Sequence, residues 1–178
     1  MLKMPKLILL EDHDGNWEIY FEKVFGIFKK DFMAGNLKCN GINVIYIHNP
    51  EYKGKPFSFW HLISEGKIED QRLPEIRRCE RIGWPKAIIE NSNDNSVKAW
   101  VVKRHNRKGK NQNRLCLCFG EWEYLVVLTV RKNLYVLCTA YPITFERRKY
   151  QLRKEYEEFR KKQTPPREAV SDAPSTAW

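Results

Sequence analysis

The sequence predicts an α+β fold: helices first, an antiparallel meander sheet after them, and a basic helix at the end. Three observations carry that expectation. Apolar residues recur at helical spacing across residues 14–33, the period drops to two from Val97 onwards, and a strongly charged helical pattern takes over after Ile143. One domain is expected over residues 1–163, long enough to bury a core without disulfides or metal. Apolar residues make up 42% of the chain, too many for a disordered protein.

The first helix rests on Trp17, Tyr20, Phe21, Val24, Phe25, Phe28 and Phe32, which follow the i, i+3, i+4, i+7 pattern. Asp14 is its expected N-cap and Gly35 its stop. "INVIYI" (residues 42–47) reads as a strand, "HNPEYKGKP" as a turn-rich loop, and "FSFWHLI" (residues 57–63) as a second strand. Residues 69–92 read as two short helices meeting at the "GWP" corner, because proline breaks a helix interior. "VKAWVVKR", "RLCLCF", "EYLVVLTV" and "LYVLCTAY" follow as four strands, the last two joined by "RKN" as a tight hairpin. "TFERRKYQLRKEYEEFRKK" is a long polar helix capped by Thr144. Residues 164–178, rich in Pro, Ser and Ala without periodicity, read as a disordered tail.

The formal charge is +10, from 32 basic and 22 acidic residues, which points to a polyanionic partner because Lys and Arg displace counterions from phosphates. No segment reads as a membrane span or signal peptide, so a cytoplasmic protein with no membrane partner is expected. Five cysteines (Cys39, Cys79, Cys116, Cys118 and Cys138) form no framework spacing and read as reduced thiols. "CLC" lacks a partner pair at zinc spacing, and residues two apart on a strand share a face, so neither metal nor other cofactor is expected.

Strand alternation puts Lys98, Trp100, Val102 and Arg104 on one face of the sheet, and Tyr135, Leu137, Thr139 and Tyr141 together on the last strand. A face of rings and cations suits RNA, with bases stacking and phosphates held; an ordinary solvated sheet face has the same composition. The loop "HNRKGKNQNR", with Lys108, Lys110 and Arg114, reads either as a phosphate-contacting hairpin tip or as a solvated loop. Of four histidines, only His61 in "FWHLIS" combines rigid flanks with an apolar setting. It is either a packed ring or a proton carrier titrating near neutrality.

Taken in order, "FSFWHLIS", "RCERIGW", "EYLVVLTVRKNLYVLCTAYPI" and "ERRKYQLRKEYEEF" resemble the phage- and prophage-associated branch of the barnase–EndoU–colicin–RelE ribonucleases, over about residues 42–160. The resemblance implies that fold and metal-independent RNA cleavage. The substrate's own 2′-hydroxyl attacks the phosphorus, leaving a 2′,3′-cyclic phosphate and a 5′-hydroxyl. It implies His61 as proton carrier, Arg81 as a phosphate-holding helical residue, Thr139 and Tyr141 of "TAY" as hydrogen-bond donors to phosphate or leaving oxygen, and Arg131 as a further catalytic position. Lys98, Trp100, Arg104, Lys108, Lys110 and Arg114 would bind RNA. The expected role is that of a toxin or phage-conflict nuclease acting on RNA, tRNA among the candidate species, with an antitoxin or immunity protein as partner. Two other readings stand beside it: a non-catalytic RNA-binding module using the sheet face, and a structural, DNA-associated phage protein.

Overall fold

Helix α1 (Trp17–Phe28) forms because Tyr20, Val24 and Phe28 recur every four residues, and Phe25 joins them in a buried stripe. Its N-cap is Asn16, whose side-chain oxygen accepts from the backbone N–H groups of Glu18 at 3.1 Å and Ile19 at 3.2 Å. Asp14, expected in that role, sits two residues too early. It closes a 3-10 turn (Glu11–His13) in the left-handed region, at φ 53°, so the chain is still turning when it reaches Asn16. A π-helical turn (Lys29–Met33) extends α1, and the helix stops before Gly35, whose φ of 78° is cheap only for glycine. The computed structural model describes residues 2–66, 72–105, 109 and 111–163. The tail at 164–178, residues 69–71, and Lys108 and Lys110 lie outside the described residues.

Strands β1 (Lys38–Cys39) and β2 (Ile42–Ile45) form a hairpin across Asn40 and Gly41, both with positive φ, as a tight turn of matching twist requires. "FSFWHLI" then corrects the expectation of a strand: it is helix α2 (Phe57–Ile63). Apolar residues fill nearly every position, so no period is visible in the sequence. The fold resolves it at helical spacing. Ser58, Phe59, Leu62 and Ile63 are buried, while Phe57, Trp60 and His61 form the other, half-buried side. Pro56 occupies the N-cap, and the Ser58 hydroxyl accepts from the Ile47 backbone N–H at 2.7 Å, fastening α2 to the chain leaving β2. Phe59 is the centre of the contact between α1 and α2, with ring centroids 4.9 Å from Phe25, 5.3 Å from Phe28 and 5.6 Å from Phe21.

A two-residue ladder, β3 (Ser64–Glu65) with β4 (Leu73–Pro74), leads into helices α3 (Ile76–Glu80) and α4 (Trp84–Glu90), which meet at the expected corner. Glu75 caps α3, accepting from the N–H groups of Arg77 and Arg78 at 3.1 Å each.

The meander is present: β5 (Val97–His105), β6 (Asn111–Phe119), β7 (Tyr124–Val130) and β8 (Tyr135–Pro142) pair antiparallel in sequence order. β2 joins β8 in parallel, giving the sheet order β1-β2-β8-β7-β6-β5. The pairing stops after Ile45↔Val136, so the second half of β8 has no strand on that side, and α2 packs there instead. Leu115, Leu117, Tyr124, Val126, Leu128, Leu137 and Ala140 face the core shared with α1–α4, and Cys116, Cys118, Leu125 and Val127 face the other way. Helix α5 (Glu146–Gln163) closes that second face with Leu152, Tyr156 and Phe159. It starts one residue later than a Thr144 cap requires, because the Phe145 carbonyl accepts its first helical N–H bonds, from Arg148 and Lys149.

One register shift matters for the site. Val127 opposes Thr139, yet the next residue, Leu128, opposes Leu137, so Cys138 is an extra residue in β8. Leu137 therefore joins the first core, while Tyr141, four residues on, packs against the second. This corrects the expectation that Tyr135, Leu137, Thr139 and Tyr141 share a face. No helix among the described residues is long and apolar enough to cross a membrane.

Candidate functional site

The expected RNA platform on the sheet is closed. Trp100 is 1% exposed, covered by α5, with ring centroids 6.0 Å from Trp122 and 5.7 Å from Tyr156. Lys98 donates to the Gly120 carbonyl at 2.9 Å and lies over the Trp122 ring, Arg104 is paired with Glu155, and Arg114 is half-buried with no hydrogen-bond partner for its buried Nε. An apolar stripe on α5 needed burial and took the face that bases would have used. Cys116 and Cys118 share that face, as strand spacing requires, and burial pushes both thiols up to about 12, away from the reactive thiolate.

Arg131 and Arg81 are displaced from the site for different reasons. Arg131 sits exposed at the β7–β8 hairpin, where its N–H meets the Leu134 carbonyl at 3.0 Å. Tyr141 lies at the opposite end of β8, about 20 Å along the strand at roughly 3.3 Å per residue, out of reach of a shared phosphate. Arg81 follows the end of α3. Its guanidinium donates to Glu80 at 2.9 Å and to the Arg77 carbonyl at 3.0 Å, and rests over Trp84. The arginine that α3 turns toward "TAY" is Arg78, three residues earlier and one helical turn away, with its guanidinium 5.2 Å from the centre of the Tyr141 ring.

Around Tyr141 the fold builds a cavity of ≈ 310 Å³, lined by Glu65, Glu75, Arg77, Arg78 and Arg148 among others. β8 supplies Tyr141, α3 supplies Arg77 and Arg78, and the first turn of α5 supplies Arg148. The Tyr141 hydroxyl accepts from Arg148 Nε at 3.2 Å and Nη2 at 3.1 Å. A phenol whose oxygen accepts both of these bonds has its own O–H left to donate to a further partner. Of the two carboxylates, Glu75 is used in capping α3; Glu65 is two-thirds exposed and reaches Arg78 at 3.8 Å.

His61 occupies a second cavity, of ≈ 200 Å³, with Glu51, Tyr52, Phe57, Trp60 and Arg72. Its ring stacks on Phe57, one helical turn back, at 4.0 Å between centroids and 30°. The half-buried ring is thus neither sealed in the core nor in the cavity of Tyr141. Thr139 does reach His61, but through the main chain: its hydroxyl donates to the His61 carbonyl at 3.4 Å. The expected convergence of His61, Thr139 and Tyr141 on one phosphate is therefore replaced by two adjoining cavities.

Ser64, fully buried, joins them. Arg72, from the aromatic cavity, donates to its hydroxyl at 3.2 Å and its carbonyl at 2.8 Å. Arg78, from the other cavity, donates to the same carbonyl at 3.1 Å. The Ser64 hydroxyl in turn donates to the Trp60 carbonyl. Ser64, Glu65, Arg72, Arg78 and Arg148 are the residues that reading the sequence missed. Arg78 and Arg148 were visible in "RCERIGW" and "ERRKYQ", but helical phase had to choose between neighbouring arginines. No protein-family model, curated protein or solved structure matches the chain.

Proposed function

We propose that the chain is a metal-independent endoribonuclease, with the scissile phosphate held in the arginine cavity. The observation that carries this reading is the Tyr141 hydroxyl: Arg148 occupies its acceptor side, leaving a proton to give inside a cavity lined by Arg77, Arg78 and Arg148. The arginines offset the charge that builds on a phosphorane, and the nucleophile is the substrate's own 2′-hydroxyl. Glu65, on the same cavity and beside Arg78, takes the 2′ proton as the O2′–P bond forms. Tyr141 protonates O5′ as the P–O5′ bond breaks. Products are a 2′,3′-cyclic phosphate and a 5′-hydroxyl. The order of helices followed by a meander is what the resemblance to the barnase–EndoU–colicin–RelE group implies, and it supports the reading. The toxin or phage-conflict role, with an antitoxin or immunity protein, rests on the resemblance alone and stands or falls with cleavage.

The test is end chemistry. RNA incubated with the purified protein in excess EDTA is expected to yield cyclic-phosphate and 5′-hydroxyl ends, and a single 2′-deoxy substitution at the cut position is expected to abolish that cut. Activity lost to EDTA and restored by magnesium would overturn the mechanism. Binding without any cut would leave a non-catalytic RNA-binding protein, with the arginine cavity in place of the sheet face that α5 covers.

A further inference from the structure

We infer that the aromatic cavity around His61 is a binding site for one unpaired nucleobase, which makes single-stranded RNA the substrate class; the inference rests on the nuclease reading for the phosphate next door. Four rings line the cavity: Tyr52, Phe57, Trp60 and His61. Trp60 is also anchored on the core, with ring centroids 5.6 Å from Phe21 and 5.8 Å from Phe59. Phe57 and His61 stack face to face at 4.0 Å on one side of α2, and Tyr52 stands edge-on to Trp60 at 5.2 Å, 55% exposed. The Trp60 indole N–H is held by the Tyr52 carbonyl at 2.9 Å, which fixes the relation between the loop and the helix. A volume of ≈ 200 Å³ lined by four rings suits a flat aromatic group rather than a chain of sugars or a peptide helix.

The charges set which way a nucleotide would lie. Arg72 is the cation on this cavity, and it is tied to Ser64, the residue that Arg78 also grips from the phosphate side. The carboxylate on the lining, Glu51, is matched by His48 Nε2 at 2.8 Å. A strand whose phosphate sits among Arg77, Arg78 and Arg148 therefore finds guanidinium continuously across Ser64 and rings beyond it. A base in a duplex is stacked and paired and cannot enter a cavity of this kind; a splayed base in a single strand can.

The experiment measures binding of an uncleavable, fully 2′-O-methylated single-stranded oligonucleotide, of the same oligonucleotide carrying abasic positions, and of its duplex, alongside cleavage of the matching unmodified RNA. Loss of one stacked base is expected to weaken binding by about 5- to 100-fold. Tyr52→Ala, at an exposed position, is expected to weaken the intact oligonucleotide by a similar factor and to leave the abasic one unchanged. The duplex is expected to bind no better than the abasic strand. Equal affinity for intact and abasic strands, equal loss on both in Tyr52→Ala, or no binding of the single strand would overturn the base site. Discrimination against abasic strands with no cut in the unmodified RNA would keep the base site and remove the nuclease; a clean cut with no such discrimination would do the reverse.

Discussion

The cavity around Tyr141 and the cavity around His61 lie on either side of Ser64, and they are built from different materials by different routes. The first draws on β3, α3, β8 and the start of α5, and gathers three guanidinium groups, two carboxylates and one phenol beside Pro142, Ile143, Thr144 and Phe145. The second comes mostly from one short stretch, residues 50–61, and four of its seven lining residues are rings, with Pro50, Glu51 and Arg72 beside them. Charge gathered from distant elements suits a group whose charge changes during a reaction, because each donor is fixed by its own scaffold. Rings gathered from a single loop and helix suit a group that only has to be held. The proposed function therefore puts chemistry on the Tyr141 side and grip on the His61 side.

That division can be broken most directly by exchanging single groups. Tyr141→Phe keeps the ring beneath Arg78 and removes only the hydroxyl; Glu65→Gln keeps the shape and removes the acceptor. Each is expected to lower the cleavage rate by about 10²- to 10⁴-fold, with the melting temperature unchanged. His61→Ala is expected to act on KM and leave kcat within a few-fold. A loss of kcat in His61→Ala as large as that in Tyr141→Phe would return the chemistry to the histidine and collapse the distinction.

Trp100→Ala sharpens the comparison from outside, since Trp100 belongs to neither cavity. Removing a fully buried indole is expected to cost about 3–5 kcal/mol of stability in denaturant unfolding, while the protein that remains folded binds RNA as before. An RNA defect without a stability defect would mean that α5 uncovers the sheet in solution. Arg148→Ala comes next in size. It is expected to weaken single-strand binding and to reduce the steepness of its salt dependence by about 0.7, the contribution of one phosphate contact on a single strand. An unchanged slope would mean that Arg148 serves Tyr141 alone.

The smallest effect expected is a control on pH. Asp31, in the π-helical turn, is buried, and burial raises its carboxyl above the ordinary range despite Lys86 nearby. The raised group favours the folded state when protonated. Its contribution is full below the ordinary carboxylate pKa and is lost as pH climbs through the raised value. Asp31→Asn is thus expected to melt higher than the parent protein at neutral pH, with the gap closing in acid. The pH dependence of cleavage should not change, which separates titration of the scaffold from titration of the cavities.

The four meander strands, the α1 stripe, the "GWP" corner and the last helix were all legible because each has one dominant period or one unmistakable breaker. "FSFWHLI" was not, since a run apolar at almost every position carries no period, and only the contact of Phe59 with α1 selects a helix. The closed sheet had a signal that was readable: "RLCLCF" and "EYLVVLTV" are apolar on both alternating sets, the mark of strands buried on two sides. Leu152, Tyr156 and Phe159, spaced by four and three on an otherwise charged helix, named the element that would cover the second side. The site was half legible. "TAY" put Tyr141 near the end of the last strand, where it lies, but the extra residue at Cys138 moves Tyr141 off the face of Leu137, and no pattern in the strand announces it. Arg78 rather than Arg81 follows from where α3 begins, which Glu75 decides by capping it.

Helix α5 covers the sheet and also delivers Arg148 to the Tyr141 hydroxyl. A chain emerging from the ribosome makes α5 after every other part of the site. Until that helix docks, Tyr141 lacks its arginine and the Trp100 face is open, so the partly made protein is a sheet with exposed rings and an arginine cavity missing Arg148. On the proposed nuclease reading, completion of the fold and completion of the site are then one event, and a product of synthesis interrupted before α5 lacks Arg148.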